Sequence, residues 1–251
     1  MKIEFHYTYL LIAISFILTG YFSNLLVFTS IIIIHELGHY LTAKLLGQNV
    51  EKITIYPFGG ITKISAPINS KISSDLLVAS SGVIFQSLYY LLIYILYKNN
   101  LLRDYIFTEF TTYHYRILFF NLLPIHPLDG SIILSLLLSK IIPYKITLKI
   151  NIIISIITTT FLLIINYYEF NYTLILILSL IITNIIKYTK EINYLFNKFL
   201  LERYLGKYIY KKSIKITKLE HMYKEKYHII KKNNQYITEK QALKSRFSRK
   251  Y

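Results

Sequence analysis

The sequence predicts an all-α polytopic membrane protein with about six transmembrane helices, a short membrane-associated β-hairpin and a small basic cytoplasmic tail. Hydrophobic residues make up 54% of the 251 residues, charged residues only 17%, and the mean hydropathy is +0.42. Soluble globular chains carry about 25% charged residues. Apolar runs of about 18–20 residues, the length of a helix that crosses the hydrocarbon core, recur along the first three quarters of the chain. An ordinary soluble domain is therefore excluded.

Six apolar segments are the candidate spans: 7–22, 24–46, 74–97, 111–128, 147–166 and 171–188. Between the second and third, the stretch VEKITIYPFGGITKIS at 50–65 alternates isoleucines around a Pro-Phe-Gly-Gly break, which predicts a hairpin of two short strands. No small-residue cleavage pattern follows the first segment, so we expect a retained span and not a signal peptide. We assign 1–189 to the membrane-embedded domain and 190–251 to the tail.

The distribution of charge predicts the orientation. Lysines concentrate in the loops 44–73 and 140–149, whereas the alternate loops are nearly neutral. The positive-inside rule places these basic loops and both termini in the cytoplasm, and an even number of spans agrees with that. The tail holds 17 of the 29 lysines and arginines against five glutamates, a net charge of +12. We interpret it as a segment beside the lipid bilayer and expect no nucleic acid as a partner.

The second span carries an H-E-x-x-H pattern. His35 and His39 are four residues apart and share one helical face, so both imidazoles can reach one ion. Glu36 flanks them and can act on a water at the metal without being a ligand. Ionisable groups within a span cost about 2.5–3.5 kcal/mol each and mark functional sites. Because the chain has no cysteine, a transition metal must bind His, Asp or Glu. The alternative is a buried polar cluster that only packs helices.

A catalytic zinc ion needs three protein ligands and one open position. The chain has only three aspartates, Asp75, Asp104 and Asp129. Asp129 lies in NLLPIHPLDG (121–130), at the cytoplasmic end of the fourth predicted span, at a depth compatible with the two histidines. Asp104 falls on the opposite side, and we expect Asp75 to lie at the start of a helix. We therefore predict Asp129 as the third ligand.

The other histidines rank lower as ligands. We expect His126 to line the site or its interface. His114 lies too far along its helix to join the third ligand. We expect His6, His221 and His228 to face solvent.

Taken together, the motifs resemble the site-2 protease family of intramembrane zinc metalloproteases. H-E-L-G-H stands in an early span, a GG strand region follows it, and N-x-x-P-x-x-P-L-D-G stands in a later span. The resemblance covers about residues 1–190 and is closest to the branch of stage IV sporulation protein FB, a six-span form. That branch carries a nucleotide-sensing CBS domain, whereas the tail here is short for one and lacks its pattern.

The resemblance implies one zinc ion per chain, bound by His35, His39 and Asp129, with Glu36 as the catalytic acid/base. It also implies contacts with the substrate by residues of the hairpin and of the second motif: Phe58, Gly59, Gly60, Asn121, Pro127 and Gly130. The stretch ASSGVIFQ at 79–86 resembles the family's small-residue third span, where Gly82 would permit close helix packing. Gln86 stands where relatives often have Asn or His.

The implied substrate is a membrane-associated precursor protein, such as a sporulation sigma-factor precursor. Regulatory membrane proteins or a second copy of the chain are further candidate partners. The active site would face the cytoplasmic side. Two alternatives remain at this point: a membrane-anchored zincin with a cytoplasmic active site, and a non-enzymatic membrane protein that binds or transports metal. The downstream glutamates show no zincin motif, and the ionisable groups cluster at one depth beside an intact glutamate, which favours the intramembrane endopeptidase.

Overall fold

The computed structural model describes residues 2–56, 59–168, 172–206, 208–210, 212–232 and 235–248. Within these ranges the chain is mostly helical and also forms two three-stranded sheets. It divides into two compact units. The first comprises Met1–Ala66, Leu76–Leu123 and Leu128–Gly130, and the second comprises Pro67–Asp75, Pro124–Pro127 and Ser131–Tyr251.

The elements of the first unit, in chain order, are β1 (Ile3–Phe5), α1 (Tyr7–Leu18), α2 (Phe22–Leu45), β2 (Asn49–Tyr56), β3 (Gly59–Ser65), most of α3 (Ile72–Lys98), α4 (Asp104–Leu122) and the first two residues of α5 (Asp129–Ser139). Strands β2 and β3 are antiparallel, with Ile55 opposite Gly60. The predicted hairpin is thus confirmed. Strand β1 pairs in parallel with β2 and extends the sheet on the other side.

Helix α2 passes through the core of the first unit. Ile31 and Ile32, immediately before the H-E-x-x-H pattern, are almost completely buried. They belong to one apolar cluster with Ile55 of β2 and with Phe110 and Ile117 of α4. The burial of this face fixes the rotation of α2, and the residues one turn later on the helix are therefore also turned inward.

Three helices of the described residues are long and apolar enough to cross a membrane: Phe22–Leu45, Ile72–Lys98 and Tyr144–Tyr167. The first predicted span is shorter than expected, because α1 has 12 residues and rises only about 18 Å. It ends before Gly20, which has a φ of +79°. The fourth, predicted at 111–128, ends at Leu122 because prolines follow at 124 and 127. The count of six spans therefore stays a prediction.

The second unit contains the rest of α5 together with α6 (Tyr144–Tyr168), α7 (Tyr172–Leu205), β4 (Ser213–Ile216), a 3-10 turn (Leu219–His221), β5 (Tyr227–Lys232), β6 (Gln235–Thr238) and α8 (Glu239–Phe247). Helix α7 has 34 residues, and the predicted boundary at 190 falls inside it. Strand β4 is parallel and β6 antiparallel to β5. A capping box between Thr238 and Gln241 begins α8.

The part of the tail after α7 has buried hydrophobic residues. Met222, Ile230 and Leu243 are buried against Phe199 and Leu200 near the end of α7. This part of the chain therefore folds around side chains from its own strands and helix and from the end of α7. Asp75, expected at the start of a helix, lies in the first turn of α3, where Lys224 Nζ is 2.5 Å from its carboxylate.

The prediction that His228 faces solvent is wrong. Its side chain is completely buried, and its Nδ1 lies 2.9 Å from Glu239 Oε2. Arg203 of α7 donates through Nη1 to Glu239 Oε1 at 3.0 Å and through Nη2 to the carbonyl of Lys224 at 2.6 Å. His228 can be buried because Arg203 and Glu239, which are distant from it in sequence, supply polar partners for its ring.

We expect this folded tail to lose stability as the pH falls from 7 to 5. Burial is the main cause that lowers the pKa of His228 below 6.5; the hydrogen bond to Glu239 opposes it without cancelling it, and the charge of Arg203 adds to the lowering. Burial raises the pKa of Glu239, but His228 and Arg203 outweigh it and hold the net pKa below 4.5. Both groups therefore bind protons more readily when unfolded. The contribution of His228 is lost as the pH falls below about 6.5, and that of Glu239 below about 4.5.

Hydrogen exchange of the β5 amides, corrected for intrinsic rates, measures this effect. We expect lower protection at pH 5 than at pH 7.5 in the full-length protein. His221→Gln, at an exposed histidine of the same unit, should keep the difference. Equal protection at both pH values would contradict the stabilising role of neutral His228.

Candidate metal centre

Helix α2 turns three ionisable side chains into the interior of the first unit. His35 and Glu36 are each 2% exposed and His39 is 6% exposed. Each offers a ligand atom, and these atoms lie within 4.8 Å of one another. The helical repeat explains the pair of histidines, because residues four apart lie above one another on one face. Their Nε2 atoms are 3.2 Å apart.

Asp129 reaches the same point from the first residue of α5. Its Oδ2 lies 2.8 Å from His35 Nε2 and 3.1 Å from His39 Nε2. Gly130 makes this approach possible, because any Cβ at that position would come within 3.0 Å of the backbone of Leu122 and Leu123. The first two residues of α5 can therefore lie directly against the end of α4, which brings the carboxylate of Asp129 to the histidines.

The far nitrogens of both imidazoles are held by acceptors. His39 Nδ1 lies 2.7 Å from the carbonyl oxygen of Val78, which can only accept. His35 Nδ1 lies 2.9 Å from Gln86 Oε1. In a neutral imidazole one nitrogen donates and the other presents a lone pair. Protons on both Nδ1 atoms therefore leave both Nε2 atoms as lone-pair donors aimed at the same point.

Three electron-pair donors thus converge, two imidazole Nε2 atoms and one carboxylate oxygen. Their separations of 2.8, 3.1 and 3.2 Å are close to the edges of about 3.3–3.4 Å that tetrahedral zinc bonds of 2.0–2.1 Å require. Charging both histidines instead would put two buried positive rings side by side, which is costly. The donor set and its geometry fit a zinc ion.

Glycines let neighbouring elements reach this centre. A Cβ at Gly82 of α3 would come within 3.0 Å of Nε2 of both His35 and His39. A Cβ at Gly60 of β3 would come equally close to the side chain of Glu36. Thr62, two residues further along β3, donates its hydroxyl to Glu36 Oε2 at 2.6 Å. The hairpin therefore lies directly on the carboxylate of Glu36.

The residues predicted to contact substrate are distributed as follows. Asn121 is buried at the end of α4, and its Oδ1 would lie 3.2 Å from a Cβ at Gly59. Gly59 and Gly60 begin β3 beside Glu36. Phe58 lies outside the described residues, and Pro127 belongs to the second unit.

His126 and His114, both ranked lower as ligands, have the following contacts. His126, in the second unit, stacks on Tyr188 with ring centroids 3.9 Å apart. His114 is buried on α4, where its backbone carbonyl accepts from Gln86 Nε2 at 2.9 Å.

The roles of Val78, Gln86 and Thr62 at the centre were not predicted from sequence. Val78, Gly82 and Gln86 recur every four residues on α3, so they share one face. That spacing is a signal in the sequence, but it does not say which other helix the face meets.

Comparison with known proteins places this arrangement in a family. Residues 23–112 match the model of peptidase family M50. The chain is 30% identical over 211 residues to stage IV sporulation protein FB of Bacillus subtilis, covering 82% of this chain and 73% of that protein. It is also 30% identical over 162 residues to a zinc metalloprotease of Methanocaldococcus jannaschii, covering 56% of this chain and 43% of that protein.

Among solved structures, the site-2 protease from Methanocaldococcus jannaschii has the same fold. Its TM-score is 0.62 at 23% identity, covering 74% of this chain and 89% of that one. The chain belongs to peptidase family M50, the site-2 proteases. It is an integral-membrane zinc metalloendopeptidase, as the motifs predicted, and the zincin and transporter alternatives are set aside.

Proposed function

We propose that His35, His39 and Asp129 hold the zinc ion and that Glu36 is the catalytic acid/base for peptide-bond cleavage within or near the bilayer. The convergence of three lone-pair donor atoms at separations of 2.8–3.2 Å carries this proposal. Each of the two histidines keeps its other nitrogen on a fixed acceptor, so neither ring needs to reorient when the ion binds.

In this proposal Glu36 transfers the proton and Thr62 orients its carboxylate. A zinc ion held by His35, His39 and Asp129 would polarise the peptide carbonyl and lower the pKa of a water to about 7. Glu36 accepts the proton of the attacking water and afterwards donates it to the leaving amine nitrogen. Thr62 holds Oε2 of the carboxylate, which leaves Oε1 to receive the proton.

The open edge of β3 is the proposed position of the substrate. In the order β1-β2-β3, strand β3 is an edge strand of the sheet as far as the described residues go. A substrate helix must unwind before cleavage, and its exposed backbone groups need partners in the bilayer. Addition of the unwound segment as a further strand on β3 supplies them. Phe58, Gly59, Gly60, Asn121, Pro127 and Gly130 are the residues we assign to substrate contact.

For the whole chain we propose six spans, both termini in the cytoplasm and an active site toward the cytoplasmic side. The charge distribution supports this orientation. The substrate is a membrane-associated precursor protein. The Bacillus subtilis relative is by name a sporulation protein, and the family resemblance implies a sporulation sigma-factor precursor as the candidate substrate. Regulatory membrane proteins or a second copy of the chain are further proposed partners.

Reconstitution tests the proposed function. The purified chain in lipid vesicles is mixed with candidate membrane-associated precursors, and cleavage is followed by mass spectrometry. We expect cleavage near the bilayer boundary, loss of cleavage with a zinc chelator, and recovery when zinc is restored. Cleavage that persists in the zinc-depleted protein would contradict the proposal.

Replacing Thr62 by Val should lower kcat about 10- to 100-fold with zinc content unchanged. The hydroxyl makes a hydrogen bond to a charged group, worth about 1.5–3 kcal/mol, and without it the carboxylate of Glu36 loses its orientation. Thr62→Ser keeps the hydroxyl and should retain most of the activity. Turnover of the reconstituted protein measures the effect, and equal kcat in the Val variant would show that Thr62 does not position Glu36.

A further inference from the structure

We propose that Gln86 is a positioning residue of the metal centre. Its side-chain carbonyl fixes the proton of His35 on Nδ1 and thereby directs the lone pair of Nε2 at the zinc ion. This inference rests on the proposed role of His35 as a ligand, and it assigns a function to a side chain that contacts no reacting atom.

The orientation of the Gln86 amide is determined by its other partner. Gln86 is completely buried, and its Nε2 donates to the backbone carbonyl of His114 at 2.9 Å. A carbonyl oxygen can only accept, so the NH₂ group must face α4 and Oε1 must face α2. Oε1 lies 2.9 Å from His35 Nδ1. Because Oε1 can only accept, the proton of the neutral imidazole must lie on Nδ1.

The packing around Gln86 holds the amide in place. Gly82, one turn earlier on α3, has no side chain to keep α3 away from the two histidines. On the other side, the ring of His114 stacks on Tyr90 with centroids 4.5 Å apart. A flip of the amide would set Gln86 Oε1 against the carbonyl oxygen of His114, two acceptors facing each other, which disfavours the flipped orientation.

The two histidine ligands differ in how they are held. His39 Nδ1 lies against the backbone carbonyl of Val78, which no substitution removes. His35 Nδ1 lies against a side chain, so its orientation depends on residue 86. A change there should therefore act on one ligand only and leave the second one held.

The expected effect is on zinc affinity, and it can be measured without a substrate. Gln86→Met has nearly the same length but only a weak sulfur acceptor in place of the carbonyl oxygen, and the Kd for zinc should rise about 10- to 100-fold, the usual effect of losing the partner of a ligating histidine. Gln86→Glu keeps an oxygen toward His35, and as a buried, protonated carboxyl it also keeps a donor toward the carbonyl of His114, so it should bind zinc within a few-fold of the wild type. Asn24→Leu removes a different buried amide, on the first turn of α2, and should not change the Kd.

Chelator competition gives the Kd of each detergent-purified, full-length variant, and the visible absorption of the cobalt-substituted protein reports the ligand geometry. For Gln86→Met we expect a higher Kd for zinc and an altered cobalt spectrum. For Gln86→Glu we expect both to be close to those of the wild type. An unchanged Kd and spectrum in folded Gln86→Met would overturn the inference. An equal rise of the Kd in the Met and Glu variants would also overturn it.

A measurement on the wild type covers the case in which Gln86→Met does not fold. Nitrogen-15 NMR of histidine-labelled protein should find the His35 proton on Nδ1, and a proton on Nε2 would overturn the inference. His35→Ala separates this inference from the proposed function. Zinc retained at full affinity in His35→Ala would refute the ligand assignment itself. Zinc lost in His35→Ala but unaffected by Gln86→Met would refute only the role of Gln86.

Discussion

Replacing Glu36 by Gln should abolish cleavage while the protein stays folded and loaded with zinc. Gln has the shape of Glu, and its amide oxygen can still accept from Thr62. It cannot accept a proton from water or deliver one to the leaving amine. General acid–base catalysis contributes about 10²–10⁴-fold, so we expect turnover to fall by at least about 100-fold. Cleavage of a reconstituted precursor, with zinc measured on the same sample, gives both readouts.

The matched control is Glu51→Gln on β2. Glu51 belongs to the same hairpin, where it is exposed and pairs with Lys63 and Ser65 at the surface. Its loss should leave turnover within about two-fold, since exposed ion pairs contribute little. If the Glu36 variant cleaved at the wild-type rate, Glu36 could not be the acid/base.

Replacing Asp129 by Ala should remove zinc from the purified protein. The two Nε2 atoms of His35 and His39 would remain, but two ligands do not make a catalytic zinc site. Loss of an outer partner alone costs 10- to 100-fold in metal affinity, so loss of a ligand should cost roughly 100-fold or more. Elemental analysis should find about one zinc per wild-type chain and far less in the variant.

Asp104→Ala is the control for that substitution. Asp104 also begins a helix, α4, but it is exposed. Its loss should leave the zinc content at the wild-type level. Zinc retained in Asp129→Ala, with Asp104→Ala behaving as expected, would reject Asp129 as a ligand.

The elements that follow a strong local rule were predictable from sequence. Residues four apart lie on one face of any α-helix, so the proximity of His35 and His39 could be predicted from their spacing alone. The β2–β3 hairpin was also predictable from a local pattern, the isoleucines that alternate around Pro-Phe-Gly-Gly. Asp129 was chosen by topology, which uses only the order of spans and the charge of loops. The structure brings it to 2.8 Å from His35, while its role as a ligand stays a prediction.

The features that were missed depend on contacts between distant parts of the chain. Gln86 was noted in the sequence only for its position in the family's third span, and its contacts with His35 of α2 and His114 of α4 come from the structure. His228 is buried beside Arg203 and Glu239, and no spacing in the sequence predicts these contacts. The length of α1 was overestimated because apolar composition continues past the residue where the backbone turns at Gly20.

X-ray absorption at the zinc edge of the loaded Glu36→Gln protein tests the central claim most directly. The account predicts a first shell of nitrogen and oxygen at about 2.0–2.2 Å, with the outer scattering of two imidazole rings and the remaining ligands as oxygen. Asp129→Asn in the same background should change the oxygen part of that shell. A shell with one imidazole or with three, or a spectrum that Asp129→Asn leaves unchanged, would contradict a centre built from His35, His39 and Asp129.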